Sequence, residues 1–326
     1  MNRDSWLVRG ARLFQKIPLS LFRFIEKAVL LVGPNKKQSN IIILLALPRS
    51  GSTLTYQSLA HSFEVVYLSN MGNLLFQLPL IGGLLSKFKC KNHISNFRSS
   101  QGFIKGLCGP AEGLRYWSYW LNNEIDERIP LPITSTMKIQ RRVQYITRII
   151  DFLGKRNRPV VTGYLGHALI VKQLKSVFPE AIYIRLDRNP LTNALSILKI
   201  RKSEKKEWLS VFPKECLNHL KGNNIYEEVA AQVYWLNQRI DKEIDKQQTV
   251  RLSYEKLCSN PNSEIQKIVK FCEGKNIVLK KQKELPHNFI REEKININNP
   301  EVVQLIKAFQ KLEGKFGRLQ NSPSVT

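Results

Sequence analysis

The sequence predicts an α/β fold of the P-loop-like type, in which a parallel sheet of about five strands is flanked by helices. Two observations carry this prediction. Short, fully apolar runs recur along the chain, and such runs are typical of strands buried on both faces of a parallel sheet. Segments with apolar residues at helical spacing separate these runs, as parallel strands require. The expected strands are residues 41–47, 65–68, 159–162, 181–186 and 249–253.

Residues 39–316 are expected to form one domain, because no Gly/Ser-rich linker, internal repeat or low-complexity block divides them. Residues 317–326 are expected to be a flexible tail, and residues 1–38 a basic amphipathic helical extension. Charged residues interrupt the apolar stretch 17–32, which is therefore a poor match to a membrane span. Two placements of this helix remain open: packed on the protein, or lying on an anionic membrane surface.

The net charge is +25, from 51 Lys and Arg residues against 26 Asp and Glu residues. A surplus of this size indicates polyanionic partners, such as a nucleotide, an acidic acceptor, an anionic membrane or nucleic acid. Nucleic acid is set aside as a partner, since the sequence has no helix-turn-helix, zinc-finger or aromatic-basic module.

The first apolar run leads directly into a small, hydroxyl-rich turn and then into a helix. A strand, a tight loop with Gly and a helix N-terminus together offer free backbone N–H groups and a positive dipole end to an anion. Hydroxyl donors and one fixed positive charge stand at the same point. The sequence therefore predicts a phosphate or sulfate site. Its residues are Pro48, Arg49, Ser50, Gly51, Ser52 and Thr53, with Leu54 continuing the helix.

This loop lacks the Lys that a Walker A loop carries after its second Gly, which disfavours a nucleotide kinase. It resembles instead the 5′-phosphosulfate-binding loop of sulfotransferases that use 3′-phosphoadenosine 5′-phosphosulfate (PAPS), whose pattern is Pro-Lys/Arg-Ser-Gly-Ser/Thr-Thr. The resemblance extends over roughly residues 41–275. It implies the sulfotransferase fold, PAPS as the sulfuryl donor, a hydroxyl or amine acceptor, and no metal.

The resemblance also implies a second anchor, which holds the 3′-phosphate of the donor. Members of the family use an Arg just after a strand and a Ser eight residues later. Arg188 follows the expected strand 181–186, and Ser196 lies eight residues further on. A guanidinium and a hydroxyl both donate hydrogen bonds to phosphate oxygens. The same resemblance places Tyr254 beside the adenine, and a plain core Tyr is the alternative.

Sulfuryl transfer to a hydroxyl needs a general base, and two residues compete for this role. Glu112 precedes an aromatic helix, where apolar rings would raise the pKa of its carboxyl group. Several sulfotransferases with Arg in the loop use a Glu base, whereas the alternative is a helix-capping Glu112. His167 lies in the loop where the cytosolic branch places its catalytic His, and a structural His is the alternative. Glu112 predicts turnover that is flat above about pH 6.5, and His167 predicts turnover that still rises there.

The five cysteines show no CxxC spacing, and no Asn-x-Ser/Thr glycosylation site occurs. Both features favour a reduced, cytoplasmic compartment, with peripheral membrane contact left open. The acceptor is also open, because the positive charge suits an acidic glycan whereas the apolar run 74–85 suits a lipid or a hydrophobic small molecule. The alternative function is a non-catalytic polyanion-binding or membrane-peripheral protein on a nucleotide-binding fold.

Overall fold

The sheet has five strands in the order β2-β3-β1-β4-β5, and all neighbouring strands run parallel. Helices flank the sheet, so the expected fold class is confirmed. The computed structural model describes residues 19–32, 40–91, 93–99, 102–121, 137–205, 208–219, 224–290 and 295–319. The strands are β1 (Ile41–Leu45), β2 (Val66–Tyr67), β3 (Val160–Thr162), β4 (Ile182–Asp187) and β5 (Thr249–Ser253).

The described residues also contain α-helices and short 3-10 helices, which connect the strands. The α-helices are α1 (Leu19–Val32), α2 (Ser52–Ser62), α3 (Asn70–Leu74), α4 (Pro79–Lys89), α5 (Leu114–Leu121), α6 (Met137–Leu153), α7 (Val171–Val177), α8 (Pro190–Glu204), α9 (Ile225–Glu243), α10 (Tyr254–Ser259), α11 (Pro261–Glu273) and α12 (Pro300–Phe316). The 3-10 helices are Leu165–Leu169, Lys214–His219 and Lys246–Gln248.

β1 is the middle strand, and every one of its residues is buried. Ile42 pairs with Val161 of β3 on one side and with Ile182 of β4 on the other. After β1 the chain builds one side of the sheet, and it then crosses to the other side through β4 and β5. The order of the strands therefore reverses next to β1, and ligands of open parallel sheets bind at the carboxyl ends of the strands beside such a point.

A network of ion pairs joins the ends of β4 and β5. Arg185 is fully buried in β4, and its Nε lies 3.5 Å from carboxylate oxygens of Asp187 and Asp241. Arg251 of β5 donates from Nε and Nη2 to both oxygens of Asp187, at 2.9 and 2.8 Å. A buried charge is tolerated only when it is paired in this way. The network holds the strand end from which Arg188 projects.

Helix α1 packs on the domain through a buried carboxylate. Glu26 accepts a hydrogen bond from the backbone N–H of Ile81 at 2.8 Å and one from the Tyr145 hydroxyl at 2.7 Å. Loss of water on burial raises the pKa of Glu26. Within the described ranges, no helix has both the length and the hydropathy that a membrane crossing requires. The rest of the expected extension, residues 1–18 and 33–38, and residues 320–326 of the expected tail lie outside the described residues.

A disulfide bond joins Cys90 at the end of α4 to Cys108, 18 residues later. The cysteine spacing led us to expect reduced cysteines, so this pairing is a correction. The two cysteines meet because hydrogen bonds fold the intervening loop back, including one from the Tyr67 hydroxyl to the Cys108 carbonyl at 2.9 Å. Sequence spacing cannot show such a meeting. Cys216, Cys258 and Cys272 are buried thiols outside this disulfide.

Candidate active site

The loop between β1 and α2 is shaped by two residues in the left-handed backbone region, Arg49 (φ 63°) and Gly51 (φ 92°). The Ser50 hydroxyl donates back to the Leu47 carbonyl at 2.8 Å, which closes the turn. Among the described residues, no side chain caps the start of α2. The first N–H groups of that helix are therefore left for an anion to accept from, as an anion site needs.

Helix α8 and the residues just before it hold this loop in place. Arg188 donates from Nη1 to the carbonyl of Arg49, and Asn193 donates from Nδ2 to the carbonyl of Pro48 at 2.7 Å. Arg49 in turn donates from Nε to the Ser196 hydroxyl at 3.3 Å. The loop predicted to bind the 5′-phosphosulfate and the anchor predicted to bind the 3′-phosphate are thus in direct contact.

Tyr254 lies between the two anchors. It is the first residue of α10, whose start is capped by the Ser253 hydroxyl. The Arg188 guanidinium stands 4.5 Å from the centroid of the Tyr254 ring, within cation-π range. A Cβ on Gly51 would lie 2.1 Å from Cδ2 of the same ring, so only Gly fits there. The ring therefore packs against both the loop and Arg188.

Two neighbouring cavities open at this end of the sheet, and Arg188 lines both. The first is a cleft of about 360 Å³, which the loop between β1 and α2, Glu112 and Tyr254 also line. The second has a volume of about 940 Å³, and Ser196, Lys199 and Lys202 contribute to its wall. Of the predicted site residues, Arg49, Gly51, Ser52, Thr53, Leu54, Glu112, Arg188 and Tyr254 line the cleft.

Glu112 reaches the cleft from the loop that precedes α5. A backbone hydrogen bond from Ala111 to the Leu68 carbonyl, at 2.8 Å, fixes this loop beside β2. A Cβ built on Gly102 would lie 3.4 Å from Glu112 Oε1 and 3.6 Å from the Thr53 hydroxyl, so both groups flank Gly102. Loss of water raises the pKa of Glu112 to about 7. A carboxyl group with this pKa is suited to accept a proton near neutral pH.

His167 lies elsewhere, with no exposed surface. Its ring packs edge-on against Trp117 and Tyr164, at centroid distances of 4.8 and 5.2 Å. Neither ring nitrogen has a hydrogen-bond partner in the part of the chain that the structure describes, and burial lowers the pKa of the ring to about 3. His167 does not line the cleft, whereas its neighbour Leu165 does. The geometry favours Glu112 as the base.

Sequence reasoning missed Asn193, a buried residue on α8 that holds the loop. Asn193 and Ser196 are three residues apart, so they share a helix face. Two polar residues at that spacing, in the mostly apolar first half of the helix, were the available signal. The described residues contain no cluster of three or more His, Cys, Asp or Glu side chains suited to a metal ion.

Comparison with known proteins gives the family. A model of the sulfotransferase family matches residues 41–275 of the 326-residue chain. The chain belongs to the sulfotransferase family. A search of curated proteins found no match. The matched part of this sulfotransferase contains the loop, Glu112, Arg188, Ser196 and Tyr254. It ends before α12, whose Glu301 and Val302 help to line the second cavity.

Solved structures that resemble this chain are named as sulfotransferases. One is the sulfotransferase domain of a Synechococcus olefin synthase, with 19% identity over 74% of this chain and 76% of the other, and a TM-score of 0.38. Another is a sulfotransferase from Mycobacterium avium, with 13% identity over 92% and 76% of the chains and a TM-score of 0.45. A third, from Mycobacterium tuberculosis, has 14% identity over 83% and 76% and a TM-score of 0.46.

Proposed function

We propose that this protein transfers a sulfuryl group from PAPS to a hydroxyl or amine acceptor. One observation carries the proposal: Arg188 lines both of two adjoining cavities, one beside the anion-binding loop and one beside Ser196. A donor with separate anionic groups at its 5′ and 3′ positions requires two linked anion sites of this kind. An isolated phosphate site would need only the loop.

The residues present fit such a donor. Backbone N–H groups at the start of α2, with the Ser52 and Thr53 hydroxyls, would hold the 5′-phosphosulfate. Arg188, Ser196 and the nearby Lys199 would hold the 3′-phosphate, since all three donate to phosphate oxygens. Tyr254, which packs against Gly51 and Arg188, would lie beside the adenine.

The chemistry assigned to the protein is positioning, proton removal and charge stabilisation. Glu112 takes the proton from the acceptor O–H or N–H group as the new bond to sulfur forms. The S–O bond to the 5′-phosphate breaks, and its electron pair stays on the phosphate oxygen. Arg49 and the loop N–H groups stabilise this negative charge, and each donor of this kind contributes about 10²–10³ in rate. The nucleotide product is adenosine 3′,5′-bisphosphate.

Titration calorimetry with adenosine 3′,5′-bisphosphate tests the donor assignment. We expect binding by the parent protein, and Arg188→Ala should weaken it about 10–100-fold, because a hydrogen bond to a charged group is lost. Arg239→Ala is the matched control, since Arg239 pairs with Glu215 and Glu243 on the surface. Equal affinity for parent and Arg188→Ala would remove the second anchor from the proposal.

Turnover separates the enzyme from the alternative, a non-catalytic nucleotide-binding protein. Radiolabelled PAPS with mixtures of acceptor alcohols and amines should yield labelled product with the parent and almost none with Arg49→Ala. Binding of the bisphosphate without transfer to any acceptor class would favour the alternative.

A further inference from the structure

Helix α1 presents an apolar stripe to solvent, although it is bound to the domain. Its inward face is anchored by buried Glu26 and Leu30. The outward face carries large apolar side chains at i, i+3, i+4 and i+10 spacing, which places them on one side of the helix. They are Leu21 (58% exposed), Phe24 (70%), Ile25 (46%) and Leu31 (76%). Helix positions that are this exposed to water usually carry polar residues.

Helix α4 begins against α1 and carries exposed apolar side chains of its own. The Glu26 carboxylate accepts from the N–H of Ile81 in the first turn of α4, so the two helices meet there. Further along α4, Phe88 is 72% exposed and Leu85 is 36% exposed. Large exposed apolar side chains on adjoining helices are typical of an interaction surface.

Apart from the buried Glu26, every charged side chain of α1 and α4 is a Lys or an Arg. The sequence contains no Asp or Glu between Glu64 and Glu112, whereas it contains five Lys and Arg residues there, three of them at 87, 89 and 91. Lys27 is exposed on α1 itself. A cavity of about 530 Å³ beside α1 is lined by Arg23, Lys27, Arg141 and Arg142 together with aromatic rings. The one carboxylate of α1, Glu26, is buried underneath.

We propose that α1 and the exposed face of α4 dock this protein on the surface of an anionic lipid bilayer. Exposed apolar side chains enter the interface between headgroups and acyl chains, while neighbouring Lys and Arg side chains contact the anionic headgroups. Pairing of this surface with a second copy of the chain would bring Lys27 and the α4 lysines of both copies together, and like charges repel. Charge complementarity therefore selects the anionic bilayer.

Co-sedimentation with vesicles tests the proposal on the full chain. Vesicles of phosphatidylcholine with phosphatidylserine should bind the parent, and vesicles of phosphatidylcholine alone should bind it much less. Replacing both apolar residues in Phe24→Ser/Leu31→Ser should reduce binding about tenfold or more. Lys89→Ser should reduce it about fivefold. Added salt should weaken binding of the parent, since it screens exposed charges.

Val303→Ser on α12 is the matched control, because Val303 is also an exposed apolar residue of a helix (37% exposed). It should bind vesicles like the parent. Thermal unfolding confirms that each variant is folded, and Lys89→Ser keeps the test valid if the double variant unfolds. Equal binding to both vesicle types, or full binding by Phe24→Ser/Leu31→Ser, would overturn the proposal. So would a dimer in gel filtration that the same double substitution dissociates, because a second copy would then cover the surface.

Discussion

Glu112 is a buried carboxyl group whose raised pKa suits the role of general base that we propose for it. Burial raises its pKa to about 7, and only the deprotonated form can accept a proton. We therefore expect turnover to rise as the pH increases through about 7, and Glu112→Gln to lower kcat by about 10²–10⁴. The pH profile of kcat, with calorimetry to show that the variant still binds adenosine 3′,5′-bisphosphate, is the measurement. A variant with parental kcat would show that Glu112 is not the base.

The stability of Glu112→Gln supplies a control that does not depend on turnover. A pKa raised from 4.5 to about 7 means that the folded state favours the neutral carboxyl. Its stabilising effect is complete below pH 4.5 and is lost as the pH rises through 7, by about 3 kcal/mol in the limit. The amide of Gln does not ionise. The variant should therefore gain free energy of unfolding relative to the parent between pH 5 and pH 8, measured by urea denaturation.

His167 should affect stability at low pH rather than turnover. Burial lowers its pKa from 6.5 to about 3, so the folded state favours the neutral ring. This contribution is present above pH 6.5 and is lost as the pH falls, by about 2 kcal/mol at pH 5. His167→Phe keeps a ring between Trp117 and Tyr164 and cannot ionise. It should be more stable than the parent at pH 5, relative to pH 8, and keep most of its kcat.

If His167→Phe folded normally but lost most of its kcat, His167 and not Glu112 would be assigned as the general base. The pH dependence of turnover expected for each candidate base is thus the reverse of the one predicted from the sequence. Glu112, with its pKa near 7, now predicts turnover that still rises near neutral pH, and His167 predicts none of this rise.

At the scale of elements, the loop after β1 depends on α8. Asn193 is buried, and its Nδ2 donates to the Pro48 carbonyl. Asn193→Ala leaves that carbonyl unpaired, which costs about 1–3 kcal/mol. We expect this loss in urea denaturation, together with faster hydrogen exchange of the amides of residues 50–53 and weaker binding of adenosine 3′,5′-bisphosphate.

Asn189→Ala is the control for this prediction. The Asn189 side chain accepts from the N–H groups of Leu191 and Thr192 and caps α8. Its loss should cost about 1 kcal/mol without removing the contact to Pro48. If both variants raised exchange in the loop equally, a general loosening of α8 would explain the result, and Asn193 would have no particular role.

At the scale of the whole molecule, the disulfide ties α4 to the segment that leads to Glu112. Cys90 and Cys108 are 18 residues apart, and a crosslink of that span stabilises by about 3 kcal/mol, mainly by restricting the unfolded chain. Reductant should lower the free energy of unfolding by this amount. The double variant Cys90→Ser/Cys108→Ser should be less stable and should not respond to reductant. Equal stability of the parent with and without reductant would contradict the prediction.

The sequence by itself determined the sheet and the loop. Runs such as residues 41–47 are apolar without interruption, which is typical of a strand buried on both faces of a parallel sheet with helices around it. The turn from Pro48 to Thr53 could be read in the same way, because a small, hydroxyl-rich loop between a strand and a helix N-terminus is a local pattern. These features depend on neighbours in the chain.

Tertiary structure decided everything that depends on neighbours in space. Glu112 and His167 were competing candidates in the sequence, and they differ because one opens on the cleft while the other is enclosed by Trp117 and Tyr164. Neighbours in space also decide three other features: the contact between Arg49 and Ser196, the disulfide, and the outward apolar stripe of α1. A pKa, a crosslink or an exposed face is set by the distance to other elements and by the water that remains, and neither quantity is encoded in the spacing of residues along the chain.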